Sequence, residues 1–202
     1  IWAFSIHTVT AFLYQGLPGR HYWLTAIMAA RFLSSAFCSG PAILLLLALI
    51  VKKLAKYDPG KEAIQTLSKI ITYAMCVNVF FFLLEVFTAF YSNIPGHTSS
   101  IVYLFSGLHG YSSLVPWMWA AAVFAIASLV LLIPSKFRNN MELLVVGLVL
   151  LIAATWIDKG LGLIVGGFVP NPFHGVTEYA PTGPELMIAL MVYATGALVL
   201  TI

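Results

Sequence analysis

Charge is the first thing this sequence has little of. Only 8% of its 202 residues are Asp, Glu, Lys or Arg, against about 25% in a soluble domain. With 61% hydrophobic residues and a mean hydropathy of +0.97, an ordinary water-soluble fold is excluded. Cysteine is scarce too. Cys38 and Cys76 both lie in apolar runs, and no CxxC pair occurs. Neither a disulfide framework nor an iron–sulfur cluster is supported. Histidine at membrane depth is limited to His7, because His21, His97, His109 and His174 fall in polar connections. A membrane haem clamped between two facing histidines is therefore not expected, and no metal site is. Walker, HExxH and GxSxG motifs are missing. The net charge of +3 is small and its cations sit between the apolar runs. That pattern sets membrane orientation and gives no sign of nucleic-acid binding.

What is present is a series of long apolar runs. A bilayer core about 30 Å thick is crossed by about 20 helical residues, and lipid leaves no backbone group to be satisfied by water. The expected fold is an all-α, polytopic transmembrane helical bundle of about six spans. They run from before residue 1 to about 15, then about 25–51, 69–91 (entered amphipathically from 62), 116–133, 141–160, and from 185 to the end. No signal peptide is visible, and the first and last runs are cut without flanking charges. Residues 1–202 are expected to form a single transmembrane domain from the C-terminal part of a longer subunit.

The connections set the expected orientation. Lys52, Lys53, Lys56 and Lys61 follow the second span, and Lys136 and Arg138 follow the fourth. Both connections lie on one side of the bundle, which the positive-inside rule makes cytoplasmic. The opposite connections, 16–24, 92–115 and 168–184, are then outside. They are long and rich in Gly, Pro, His and aromatics, which suits a docking surface as well as a cap. Trp2, Trp23, Trp117, Trp119 and Trp156 fall mostly near span ends, as an aromatic belt requires. A multi-pass protein of the cytoplasmic (inner) membrane is expected.

The few ionisable residues inside the spans collect toward the outer side. At about 1.5 Å per residue, His7 lies roughly 12 Å deep and Glu85 roughly 9 Å. Arg31 is one to two turns in, and Asp158 and Lys159 occupy the last turns of the fifth span. Charges in lipid are costly, so these groups should face the interior and pair. Arg31 and Glu85 match in depth. Asp158 and Lys159, adjacent on a helix, point about 100° apart and should serve different partners. Two readings stay open: buried ion pairs that fix packing, or a proton-conducting or redox-ligand pocket opening outward. For proton transfer the candidates are His7, Glu85 and Asp158.

Two stretches carry a resemblance. The first is Ser5-Ile6-His7-Thr8-Val9 through Gly16-Leu17-Pro18-Gly19-Arg20-His21-Tyr22-Trp23, leading into Arg31-Phe32-Leu33-Ser34-Ser35. The second is Trp156-Ile157-Asp158-Lys159-Gly160-Leu161-Gly162 through Gly166-Gly167-Phe168-Val169-Pro170-Asn171-Pro172, followed by Glu178-Tyr179-Ala180-Pro181 and Glu185. Over nearly its whole length the chain resembles the NrfD-type family, the membrane subunits of polysulfide-reductase-like complexes. Within that family it is most similar to the DsrP-type subunit of the Dsr complex. The resemblance implies a subunit without haem or iron–sulfur cluster of its own in this segment. It implies electron exchange between the menaquinone pool and a ferredoxin-like iron–sulfur subunit on the outer side, beside other subunits of a Dsr-like membrane complex. His7, Tyr14 and Arg31 are the quinone candidates under it. Any quinone oxidoreductase activity would belong to the assembled complex. The alternatives are a transporter, whose mark would be paired helix breaks near the midplane, and a purely structural membrane anchor for a redox partner.

Overall fold

A computed structural model describes residues 2–55, 58–173 and 175–201, with Ala3 described by its backbone only. Lys56 and His174, both singled out in the sequence, lie outside the described residues. Helix α1 (Trp2–Gln15) stops at Gly16 and Pro18, and a 3₁₀ turn (His21–Trp23) leads into α2 (Met28–Ala55). The next helix, α3 (Lys61–Ser92), ends where Asn93 turns left-handed at φ 49°. A short α4 (Pro95–Ser106) follows, with Pro95 in the first turn, where a missing donor does no harm. Helix α5 (Val115–Leu132) is joined by α6 (Ser135–Arg138) to α7 (Met141–Trp156). The Asn140 side chain caps α7 by accepting from the backbone of Glu142 at 3.0 Å. Past Trp156 the helix widens into a π segment (Ile157–Val165), and α8 (Gly183–Thr201) closes the described chain.

Five helices are long and apolar enough to cross a membrane: α2, α3, α5, α7 with its π segment, and α8. No strand occurs among the described residues. The chain is a multi-pass, all-α membrane protein. Helices α2, α3, α5 and α7 pack as a bundle, with α1 laid along α2. Large apolar side chains such as Phe80, Phe87, Ile126 and Val130 point outward, as a lipid-facing surface requires. Along α8 every described residue is exposed, and the Trp156 indole donates to the Tyr193 hydroxyl at 3.2 Å.

The bundle holds two separate cores. At the lysine end Cys38, Leu45, Ile71, Met75, Leu132, Leu144 and Leu148 interdigitate. At the loop-rich end Tyr22, Trp23, Met28, Ile101, Tyr103, Leu104, Met118 and Leu163 form the second. Two expectations need correction here. The stretch 92–115 is not a simple loop, since α4 lies within it and supplies Ile101, Tyr103 and Leu104 to that core. The fifth span does not end near residue 160 but continues in π geometry to Val165. Trp23 also departs from the aromatic-belt role: it is fully buried, whereas Trp2, Trp117, Trp119 and Trp156 are exposed.

Candidate functional site: a buried ion chain between two cores

The polar layer starts from Arg31, which is 1% exposed. It sits on α2 between Met28 of one core and Cys38 of the other. Its Nη1 donates to Glu85 Oε2 on α3. Its Nη2 donates to both carboxylate oxygens of Asp158 on the π segment, at 3.1 and 3.2 Å. Lys159 Nζ then stands 3.5 Å from Asp158 Oδ2. The result is an unbroken series across three elements: Glu85, Arg31, Asp158, Lys159. Phe82 lies under the guanidinium at 5.5 Å, and Phe32 under the ammonium at 5.8 Å. The phenol of Tyr22 faces Arg31 from the 3₁₀ turn. Asn78 and Ser34 extend the layer toward the lysine end, with Ser34 Oγ donating to Asn78 Oδ1 at 3.3 Å. Such pairing is what makes buried charge tolerable in a low-dielectric interior.

The depth match of Arg31 and Glu85 is realised as a direct ion pair. Asp158 and Lys159, expected to serve different partners, join one series instead. The π geometry is the physical reason, because its wider turn departs from the 100° step of an α-helix. That widened segment is held from outside. The indole of Trp23 donates to the Leu163 carbonyl at 2.8 Å. A Cβ on Gly162 would stand 2.8 Å from Met118 Sδ, and one on Gly167 would collide with the Trp23 ring. Glycine is needed at both positions for these close approaches. The run of glycines from 160 to 167 was the sequence signal for this packing.

Three cavities adjoin the ion series. One of about 160 Å³, inside the bundle, is bordered by Asn78, Thr155 and Asp158 among apolar side chains. A cleft of about 380 Å³ between α1, α2 and the α7–π helix carries His7, Thr10, Ser35, Ser39 and Lys159 with Phe32 and Trp156. A third, of about 190 Å³ at the loop-rich end, is bordered by Glu85 and His97. His7 is thus half-buried on the same cleft as Lys159. Tyr14 packs edge-on against Trp23 at 4.6 Å and beside Phe32 at 5.9 Å, outside the cleft lining. Arg31 is enclosed by its two carboxylates and likewise does not line the cleft. The site therefore brings Arg31, Glu85 and Asp158 together, adds Lys159, and sets His7 across the cleft.

The loop-rich end is tied down by Glu178. Its Oε1 accepts from the Ser113 backbone N–H at 2.9 Å and from the Tyr103 hydroxyl at 3.1 Å. The backbone bond above all holds this carboxyl below the usual carboxylate range. Beside it, a groove of about 400 Å³ runs between Arg20, Tyr103, Phe168, Asn171 and Glu178. Arg20 lies over the Phe168 ring at 4.9 Å and donates to its carbonyl at 2.8 Å.

Comparison with known proteins agrees with this architecture. The chain is 20% identical over 220 residues to a protein of Halobacterium salinarum described as a dimethyl sulfoxide reductase membrane subunit. The match takes in 98% of this chain and 49% of that relative, so the chain spans about half the length of the curated protein it resembles. Residues 1–168, which carry α1, the ion series and nearly all of both cores, match the family described as "Polysulphide reductase, NrfD", and the chain belongs to that family.

Proposed function

We propose that this chain is a quinone-interacting membrane subunit of a respiratory electron-transfer complex. In this reading it exchanges electrons between the menaquinone pool and a ferredoxin-like iron–sulfur subunit seated on the loop-rich end. The neighbours are further subunits of a Dsr-like assembly, and the loop-rich end faces away from the cytoplasm. The observation that carries the reading is the four-membered ion series placed beside an apolar cleft. Two acids and two bases are threaded in sequence from Glu85 to Lys159, and each end of the series borders a cavity.

The cleft fits a quinone head group. Its volume of about 380 Å³ falls within the range of small-molecule pockets, about 300–1,000 Å³. Phe32, Trp156 and Leu163 give it apolar walls, Lys159 gives it a donor, and the Ser35 and Ser39 oxygens, whose own protons go to backbone carbonyls, give it acceptors. A bound quinone supplies two-electron, two-proton redox chemistry at its carbonyl oxygens. The protein's part is to position and to move protons. His7 stands at the cleft wall. Tyr14 buttresses that wall by packing on Phe32. Arg31 acts from behind, as the shared counter-charge of Glu85 and Asp158. The groove beside Glu178 and Arg20 supports docking of a soluble redox partner at that end.

The test is Glu85→Gln in the assembled complex, which keeps shape but removes a titratable proton. Quinone turnover should fall about a hundredfold or more, in the range ascribed to positioned proton transfer, with assembly intact. Poor assembly with normal turnover per complex would reduce the ion series to a packing device.

A further inference from the structure

The cavity at the loop-rich end reaches the ion series from the side opposite the cleft. It lies between the connection that leads from the 3₁₀ turn into α2 (residues 22–26), the last two turns of α3 and the first two turns of α4, with the buried Glu85 on one wall and the half-buried His97 on another. Thr25, Thr88 and Ser92 line the space between them. At about 190 Å³ it has room for several waters, and each hydroxyl keeps acceptor capacity for them. His97 is half-buried on α4. The groups facing it are His21 from the 3₁₀ turn, whose ring lies against Gly96, Glu85 from α3, and Tyr22 and Arg31 behind Glu85. Burial, and then the neighbouring His21, hold the His97 imidazole below its ordinary 6.5. It is therefore neutral at pH 7, with one ring nitrogen free of a proton.

We propose that this cavity is a water port through which Glu85 exchanges protons with the aqueous phase at the loop-rich end, with His97 as the relay on its wall. The inference rests on the proton role given to Glu85 above. In the transfer, His97 takes a proton from bulk water on one nitrogen and releases one from the other through the port waters to the Glu85 carboxylate. No electron moves. Protonated Glu85 loosens from Arg31, and the guanidinium keeps Asp158 as a counter-ion that it then shares with Lys159.

Two measurements on the assembled complex in membranes test the port. The first compares Thr88→Cys with Phe87→Cys; both positions are exposed on α3, but Thr88 borders the cavity, whereas Phe87, 61% exposed, does not. A charged, membrane-impermeant thiol reagent applied at the loop-rich side should label Thr88→Cys at least tenfold faster than Phe87→Cys. The unsubstituted chain, with Cys38 buried and Cys76 partly exposed, gives the background. Equal, slow labelling of both variants overturns the port. The second is His97→Ala, with His97→Gln as a bulk-preserving companion. Both should slow quinone turnover severalfold, and imidazole in the buffer should restore the alanine variant. A loss that imidazole leaves unchanged, or no loss at all, overturns the relay. Normal turnover of Glu85→Gln would instead bring down the proton role of the whole ion series, whatever Thr88→Cys shows.

Discussion

The two cores of this bundle are built by different rules. The lysine-end core is made of aliphatic residues on four helices, with Leu45, Ile71, Leu132, Leu144 and Leu148 meeting at helical spacing. The loop-rich core borrows Tyr22 and Trp23 from a 3₁₀ turn, Ile101 to Leu104 from the short α4, and Val169 from an irregular strap. The first needs only helix periodicity, the second a set of long-range contacts that hold backbone outside regular helix. The ion series lies at the joint between them. Charge is admitted where packing passes from one rule to the other, beside cavities that regular interdigitation would have filled.

The strongest way to break the joint is Arg31→Met. It leaves Glu85 and Asp158 buried without their shared cation, and breaking a buried pair in this way costs about 3–5 kcal/mol. Chemical denaturation in detergent should show it, and Arg31→Lys should recover only part, since one ammonium cannot reproduce the two-sided fork. Next comes a matched pair of core variants. Leu148→Ala in the lysine-end core should cost about 2–5 kcal/mol yet leave turnover per folded complex unchanged. Gly167→Ala should cost about 1–3 kcal/mol by overpacking. It should also lower turnover, because the displaced Trp23 holds the π segment that carries Asp158. If both variants act on stability alone, the loop-rich core has no special tie to the site.

Smaller effects sharpen the contrast. The His97 pKa is depressed in the folded state, so the unfolded chain binds that proton more readily. Its contribution is then complete above about pH 6.5 and declines as pH falls below that value. Denaturation midpoints at pH 7.5 and 5.5 should differ more for the natural chain than for His97→Gln, with no such change in Leu148→Ala. The smallest effect belongs to Glu178→Gln. The carboxylate is exposed, so weakening its bonds to Ser113 and Tyr103 should cost about 1 kcal/mol or less. Faster amide exchange at Ser113 and faster proteolysis within 168–182 are the readouts.

Legibility in the sequence follows the same divide. The four bundle helices were plain from their apolar runs, and counting depth along two helices was enough to match Arg31 with Glu85. Helix α4 was hidden because its 12 residues are too few for a span and contain Gly, His, Thr and Ser. Its only local marks were Pro95 at the start and Gly107 past the end. Asp158 and Lys159 were legible as buried charges but not as one series, since Gly160 and Gly162 read as a helix ending when they mark a widening. Trp23 illustrates the general difficulty. Near a span end an indole suits the interface, and only the distant Leu163 carbonyl and Gly167 make it core.

The ion series can also be viewed as a small capacitor. Glu85, Arg31, Asp158 and Lys159 sum to zero when all four are ionised, so one arriving proton leaves the layer with a single uncompensated positive charge. A second would have to be added against it. Like charges about 4 Å apart repel by about 4 kcal/mol at an effective dielectric constant of about 20, close to a thousandfold penalty. The layer between the two cores is thereby limited to one proton at a time, and the first must leave before another can enter.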